Sequence, residues 1–350
     1  MLIKSVALIT GLMALSAKAA NRDNFPPLIP SRCEASSDLV FYPYTLENDI
    51  SRLNGVATSN GDTTIDGFTI DYDIPINKTT ITEADGVYQA TPDQISRVNM
   101  RSKLAALAYC PSISHKGRWD CSNCVEYVPD GVVNATFVSQ DQDILGYALV
   151  SDTMETIFLV FGGTFETADG EPRIDFNATS YTPVEYTNDL YELYSQTQED
   201  VIFTIQDLIE DYPDYNVDII GHSLGGAQAE FATLDAYQRL EQLTSSNLFL
   251  TTFGEPRVGD KEYASYVAAT EIEKIRVVNG RDLVAHLAPM DLDFVHGGSL
   301  EYWVIDNETD FVQICENKLE SNECSNSIVP FLNYDDNMGY PGLSSDVVCA

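Results

Sequence analysis

The chain has 350 residues, 44% hydrophobic and 10% aromatic, with a formal charge of −35. This is enough for one α/β domain with a full core, or at most two small domains, and it excludes a wholly disordered chain. The charge excludes nucleic acid and anionic membrane as partners, since both repel an acidic surface, and fits a soluble extracellular protein with an acidic coat.

The chain begins "MLIKSVALITGLMALSAKAANR". Lys4 supplies a charge, Val6 to Leu15 a short apolar core, and Ala17-Lys18-Ala19 a small-x-small cleavage site. Residues 1–19 read as a secretory signal peptide, too short to span a bilayer as a stable helix. No other segment is apolar enough to cross a membrane, so no stable anchor is expected. Secretion suits the sequons at Asn77, Asn134, Asn177 and Asn307, of which two or three are expected to carry glycan. In an oxidising compartment Cys33, Cys110, Cys121, Cys124, Cys315, Cys324 and Cys349 read as disulfides. No second close pair of Cys or His follows Cys121-x-x-Cys124, so neither a metal nor any other cofactor is expected. Seven is odd, and Cys33, alone in its segment, is the expected free thiol.

Residues 20–93 are polar and read as an N-terminal extension or pro-segment. The globular pattern starts near "TPDQISRVNMRSKLAALAYC", where Thr91 N-caps a helix that Pro92 opens. "ATFVSQ", "ILGYALVSD" and "TIFLVFGGT" are strand-like. Val201, Ile202, Ile205, Leu208, Ile209 and Tyr212 fall on one face of a helix over Glu199–Tyr212, stopped by Pro213. "NVDII" follows as a buried strand, "AQAEFATLDAYQRL" as a second amphipathic helix, then "LFLTTFGEP" and "KIRVVNG" as strands. This alternation predicts an α/β fold with a mostly parallel sheet covered by helices on both faces.

"VDIIGHSLGG" sets Gly221-His222-Ser223-Leu224-Gly225 between a buried strand and a helix, the context a nucleophile elbow requires. Its glycines leave room for a strained turn, and Ser223 would project at a helix N-terminus that favours a developing oxyanion. From about residue 90 onward the chain resembles the class 3 fungal lipases. The resemblance rests on "GHSLGGA", "SSNLFLTTFGEPRVGD", "VVNGRDLVAHLAP", "FVHGGSLEYWV", "CENKLESNECSNSIVPF" and "YCPSISHKGRWDCSNC". It implies an α/β-hydrolase-type domain over 94–350 and a carboxylic-ester hydrolase acting on acylglycerols or soluble esters. It further implies Ser223 as nucleophile, Asp282 as triad acid, and Thr164 and Leu224 as oxyanion-hole residues. The disulfides it implies are Cys110–Cys349, Cys121–Cys124 and Cys315–Cys324. A monomer with a lipid or ester ligand is expected.

Four departures stand against that pattern. The family's triad histidine falls on Asn337, in "NYDDNMGYPG", and no histidine follows His296. An amide takes no proton near neutral pH, whereas imidazole both accepts and returns one. His222 belongs to the elbow and points away from the base position. His286 and His296 lie in motifs where the family carries non-triad histidines, and nothing places His115 near Ser223. A shifted His296 is the alternative left open. Phe161-Gly162-Gly163-Thr164 lacks the family's arginine, and Thr187-Asn188-Asp189-Leu190 lacks a pocket histidine. The lid segment "ETADGEPRIDFNATSYTPVEY" is acidic, unlike the amphipathic lids that dock on oil, and closer to those of feruloyl-esterase-like members. Two functions follow: an ester hydrolase greatly impaired by the missing base, or an inactive pseudo-lipase that binds a lipid, an ester or a protein. A structural matrix protein is a third, remote option.

Overall fold

The computed structural model describes residues 63–65, 68–70, 76, 78, 80–139, 144–163, 178–181 and 184–343, less 289, 291–292, 299, 308–309, 317–318, 330–331 and 334. Strands β1 (Thr63–Ile65) and β2 (Phe68–Ile70) form a small antiparallel pair. The main sheet comprises β3 (Val87–Gln89), β4 (Val132–Val138), β5 (Leu145–Ser151), β6 (Thr156–Gly162), β9 (Asn216–His222), β10 (Leu248–Phe253), β12 (Glu273–Asn279), β14 (Leu300–Asp306) and β15 (Phe311–Glu316). Its nine strands run in the order β3-β15-β14-β12-β10-β9-β6-β5-β4. From β14 to β6 the strands pair in parallel, while β3, β15, β5 and β4 close both sides antiparallel. The edge strand β3 lies before residue 94, where the sequence pattern alone starts the globular domain. A second, four-stranded sheet has the order β13-β11-β8-β7, from β7 (Ala178–Tyr181), β8 (Val184–Thr187), β11 (Gly259–Asp260) and β13 (Phe294–Val295).

Helix α1 spans Pro92–Leu107, with Thr91 as N-cap. Its Oγ1 accepts from Gln94 N and the Gln94 side chain accepts from Thr91 N, so two end groups are satisfied reciprocally. Shorter helices α2 (Pro111–Ser114) and α3 (Ser122–Tyr127) follow, then α4 (Asn188–Ser195), α5 (Gln198–Asp211), α6 (Leu224–Arg239) and α7 (Lys261–Ala269). All seven residues of β6 are buried, and alternation divides them between two cores. Phe158 and Val160 pack with α1, while Ile157, Leu159 and Phe161 pack with α5 and α6.

Helix α6 differs from expectation. It is buried all round from Leu224 to Tyr237 and is not amphipathic, because the sheet lies on one side and α4 and α5 cover the other. Its polar residues find partners inside: Gln228 donates to the Leu190 carbonyl at 3.0 Å, and Asp235 accepts from Tyr194 at 3.1 Å. Cys121–Cys124 and Cys315–Cys324 are bonded. Cys110 is also in a disulfide; Cys33 and Cys349 lie outside the described residues. Among the described residues no helix is long and apolar enough to cross a membrane, and no group of three or more His, Cys, Asp or Glu has a metal-holding arrangement.

Candidate active site

Strand β9 ends at His222 and α6 begins at Leu224, so one residue must turn the chain from sheet to helix. Ser223 does so at φ 56°, ψ −126°, a conformation that L residues rarely hold. The turn closes only because its neighbours lack side chains. A Cβ on Gly221 would strike the Gly225 carbonyl, and one on Gly225 would strike the Phe161 and Gly162 carbonyls. Ser223 N donates to the Phe253 carbonyl at 2.8 Å, anchoring the turn to β10. The hydroxyl stands half-buried at the N-terminus of a 16-residue helix. Leu224, the first residue of that helix, has an N–H without an intrahelical acceptor. Among the described residues Ser223 Oγ has no hydrogen-bond partner.

Asp282 follows β12 and is fully buried. Its Oδ1 accepts from Val284 N at 2.9 Å, and its Oδ2 accepts from Asn337 Nδ2 at 3.0 Å and from the Tyr340 hydroxyl at 2.6 Å. Burial pushes its carboxyl up to about 6, although all three donors favour the ionised form. Asn337 sits on a short 3-10 turn, Asp335–Met338, and is buried. Gly254, at φ 60°, lets this pair form: a Cβ there would lie 2.5 Å from both Asn337 Nδ2 and Asp282 Oδ2. The structure therefore brings Asn337 against Asp282 beyond the carboxyl end of β12, as the elbow lies beyond that of β9 in the same parallel run.

The other histidines are committed elsewhere. His222 Nε2 faces the Asn337 main-chain carbonyl at 2.8 Å, which only accepts, so Nε2 carries the proton. Its Nδ1 then accepts from the Tyr109 hydroxyl at 2.5 Å, and that oxygen accepts from Gly163 N at 2.7 Å. Burial lowers His222 to about 4, so the ring is neutral. His286 Nδ1 donates to the Asp282 carbonyl at 2.7 Å and its buried Nε2 has no partner among the described residues; burial lowers it to about 4 as well. His296 is buried and its Nε2 donates to the Ala285 carbonyl at 2.8 Å. His115 is exposed and bonds Ser114 within its own turn. Thr164 and the rest of 164–177, which includes much of the lid segment, lie outside the described residues. At Gly162, where the resemblance leads one to expect arginine, a Cβ would lie 3.2 Å from Ala108 Cβ and 3.6 Å from the Tyr109 ring.

Several site residues were not singled out from the sequence. Tyr340 and Tyr109 bond across the fold and leave no local signature. Beneath the elbow, Lys274 bonds both Glu230 and Glu255, the latter at 2.9 Å. Thr252 also donates to Glu255 at 2.9 Å, and Gly226 packs against its Cβ. Burial raises Glu255 to about 8, against the attraction of the Lys274 ammonium. Among the sequons, Asn134 is exposed on β4. Asn307 is exposed and donates to Asn279 Oδ1 at 3.1 Å and the Gly339 carbonyl at 3.0 Å. Asn77 and Asn177 lie outside the described residues.

Known proteins share this fold. Residues 158–292 match the family described as Lipase (class 3). A lipase of Rhizopus niveus is 37% identical over 95% of this chain and 90% of its own length. The crystal structure of the lipase of Rhizopus microsporus var. chinensis superposes with a TM-score of 0.71 at 39% identity, covering 80% of this chain and 97% of that one. A solved triacylglycerol lipase, its catalytic centre described as a serine-protease triad, superposes with a TM-score of 0.70 at 37% identity, covering 74% and 100%. With its elbow serine and α/β-hydrolase architecture, this chain belongs to the class 3 lipase family.

Proposed function

We propose that this protein is a secreted lipase-family protein in which Ser223 is the nucleophile of an ester hydrolase deprived of its base. One observation carries the reading: Ser223 Oγ has no hydrogen-bond partner among the described residues, while Asn337 spends its amide donor on Asp282. Where the triad of a related triacylglycerol lipase needs a proton-accepting ring, this chain has an amide. Leu224 N–H and Thr164 would form the oxyanion hole, and Asp282 would orient a histidine that is not there. The acyl donor would be an acylglycerol or a soluble ester. Removing a triad member from a serine hydrolase costs on the order of 10⁴ to 10⁶ in rate, so turnover is expected at least about 1,000-fold below that of active relatives. Residues 1–19 would be cleaved on secretion and 20–93 would be an extension or pro-segment.

A second reading, an inactive binder of a lipid, an ester or a protein, is favoured by the same Asn337–Asp282 hydrogen bond, which satisfies the buried carboxylate without any titrating group. The test is hydrolysis of a short-chain p-nitrophenyl ester by the purified protein, beside Ser223→Ala and Asn337→His. Weak wild-type activity that Asn337→His raises and Ser223→Ala abolishes supports the first reading. Strong wild-type activity lost in Ser223→Ala would show that another group is the base.

A further inference from the structure

We propose that Ser223 takes acyl groups only from donors whose leaving group departs as a stable anion, namely aryl esters and thioesters, and then retains them as a long-lived acyl-serine. The inference rests on the reading of Ser223 as nucleophile and adds a substrate class and a stopping point.

Ester hydrolysis at a serine moves protons in both halves. In the first, the serine proton leaves and the departing alkoxide gains one; in the second, water loses a proton and the serine oxygen regains one. Among the described residues, the polar side chains gathered at Asp282 and the elbow histidine are committed to partners of their own. The Asn337 Nδ2–H and the Tyr340 hydroxyl both point at Asp282 Oδ2, and His222 Nε2–H points at the Asn337 carbonyl. Asp282 is fully buried beneath Asn337 and Tyr340, so it cannot reach a proton on Ser223 or on water.

What remains favours one half-reaction. The strained turn presents Ser223 Oγ at a helix N-terminus, with the Leu224 N–H beside it, and neither feature needs a base. For an aryl ester, a bond forms from Oγ to the acyl carbon and the bond to the aryl oxygen breaks. The electron pair leaves with the phenolate, and the serine proton passes to bulk water. A thioester parts with thiolate in the same way. A glyceride cannot follow this route, because its alkoxide is too basic to leave without an acid. The acyl-serine faces the same obstacle in reverse: water needs a base to attack, and the serine alkoxide needs an acid to depart. Acylation by an activated donor therefore outruns deacylation, and the adduct accumulates.

The experiment incubates the purified secreted protein with p-nitrophenyl butyrate, with a butyryl thioester, or with tributyrin, and follows intact mass, peptide mapping and p-nitrophenol release. Release is expected to stop at about one equivalent, with one butyryl group mapped to Ser223 from either activated donor. None is expected from tributyrin, and Ser223→Ala should stay unlabelled. Asn337→His, with an unchanged thermal midpoint, should shorten the adduct's lifetime at least about 100-fold. An unlabelled wild type beside a turning-over Asn337→His overturns the inference and leaves the nucleophile reading intact. Labelling that persists in Ser223→Ala overturns it too. Continuous wild-type turnover that Ser223→Ala abolishes overturns the inference and leaves the nucleophile reading intact, whereas turnover that survives Ser223→Ala, or silence from both wild type and Asn337→His, overturns the two together.

Discussion

Asn337 Nδ2 donates to Asp282 Oδ2 at 3.0 Å, on the same oxygen that receives the Tyr340 hydroxyl at 2.6 Å. The carboxylate is thus held by donors that never change protonation near neutral pH. Its own titration remains, shifted up to about 6 by burial. A carboxyl raised in the folded state stabilises the fold fully below its unfolded pKa, and that contribution is lost as pH climbs through the folded value. The window here is pH 3.8 to about 6, and the difference amounts to about 3 kcal/mol. Urea denaturation of wild type and Asp282→Asn across that range should show wild type losing stability relative to the variant as pH rises. Parallel curves would refute the raised carboxyl.

Gly254→Ala should be more disruptive than its size suggests. The position holds φ 60°, and the new Cβ would stand 2.5 Å from both members of the Asn337–Asp282 pair. We expect a loss above about 2 kcal/mol in the urea midpoint, combining left-handed backbone cost with a displaced hydrogen bond. A neutral effect would mean the pair separates freely.

Lys274→Met strips the ammonium shared by Glu230 and Glu255, leaving Glu230 and the already raised Glu255 buried without a counter-ion. The expected cost is about 3 to 5 kcal/mol by chemical denaturation. Adding Glu230→Gln and Glu255→Gln should recover most of it. If the triple variant is no better than the single one, packing rather than charge is what the lysine supplies.

Tyr109→Phe removes the hydroxyl that accepts from Gly163 N and donates to His222 Nδ1. Two buried groups lose a partner, for about 1 to 3 kcal/mol. Nitrogen NMR should still find the His222 proton on Nε2, since the Asn337 carbonyl fixes it there. A tautomer change would show that tyrosine, not the carbonyl, sets the ring.

Local chemistry accounts for what the sequence revealed and what it hid. Thr91 and Pro92 announce their helix because the cap and the residue that opens the first turn are neighbours in the chain. Ser223 announces its turn because the close approaches at Gly221 and Gly225 exclude any side chain. Asn337 could be set opposite Asp282 only through the family pattern, since 55 residues separate them. The pairing of Tyr109 with His222 spans 113 residues and carries no spacing signal. Helix α6 misled because its polar residues imitate a solvent face, yet Glu230, Asp235 and Gln228 each find a partner inside. The antiparallel flanks were equally hidden, because buried strands read alike whichever way their neighbours run.

His222 is fastened to residue 337 through the main-chain carbonyl, not through the asparagine side chain. Any residue that keeps the short turn keeps this strut, so the elbow does not depend on which amino acid stands there. Folding therefore exerts little selection at position 337 through this bond. A catalytic base could be lost from such a site with the scaffold undisturbed, and could be regained by a single substitution.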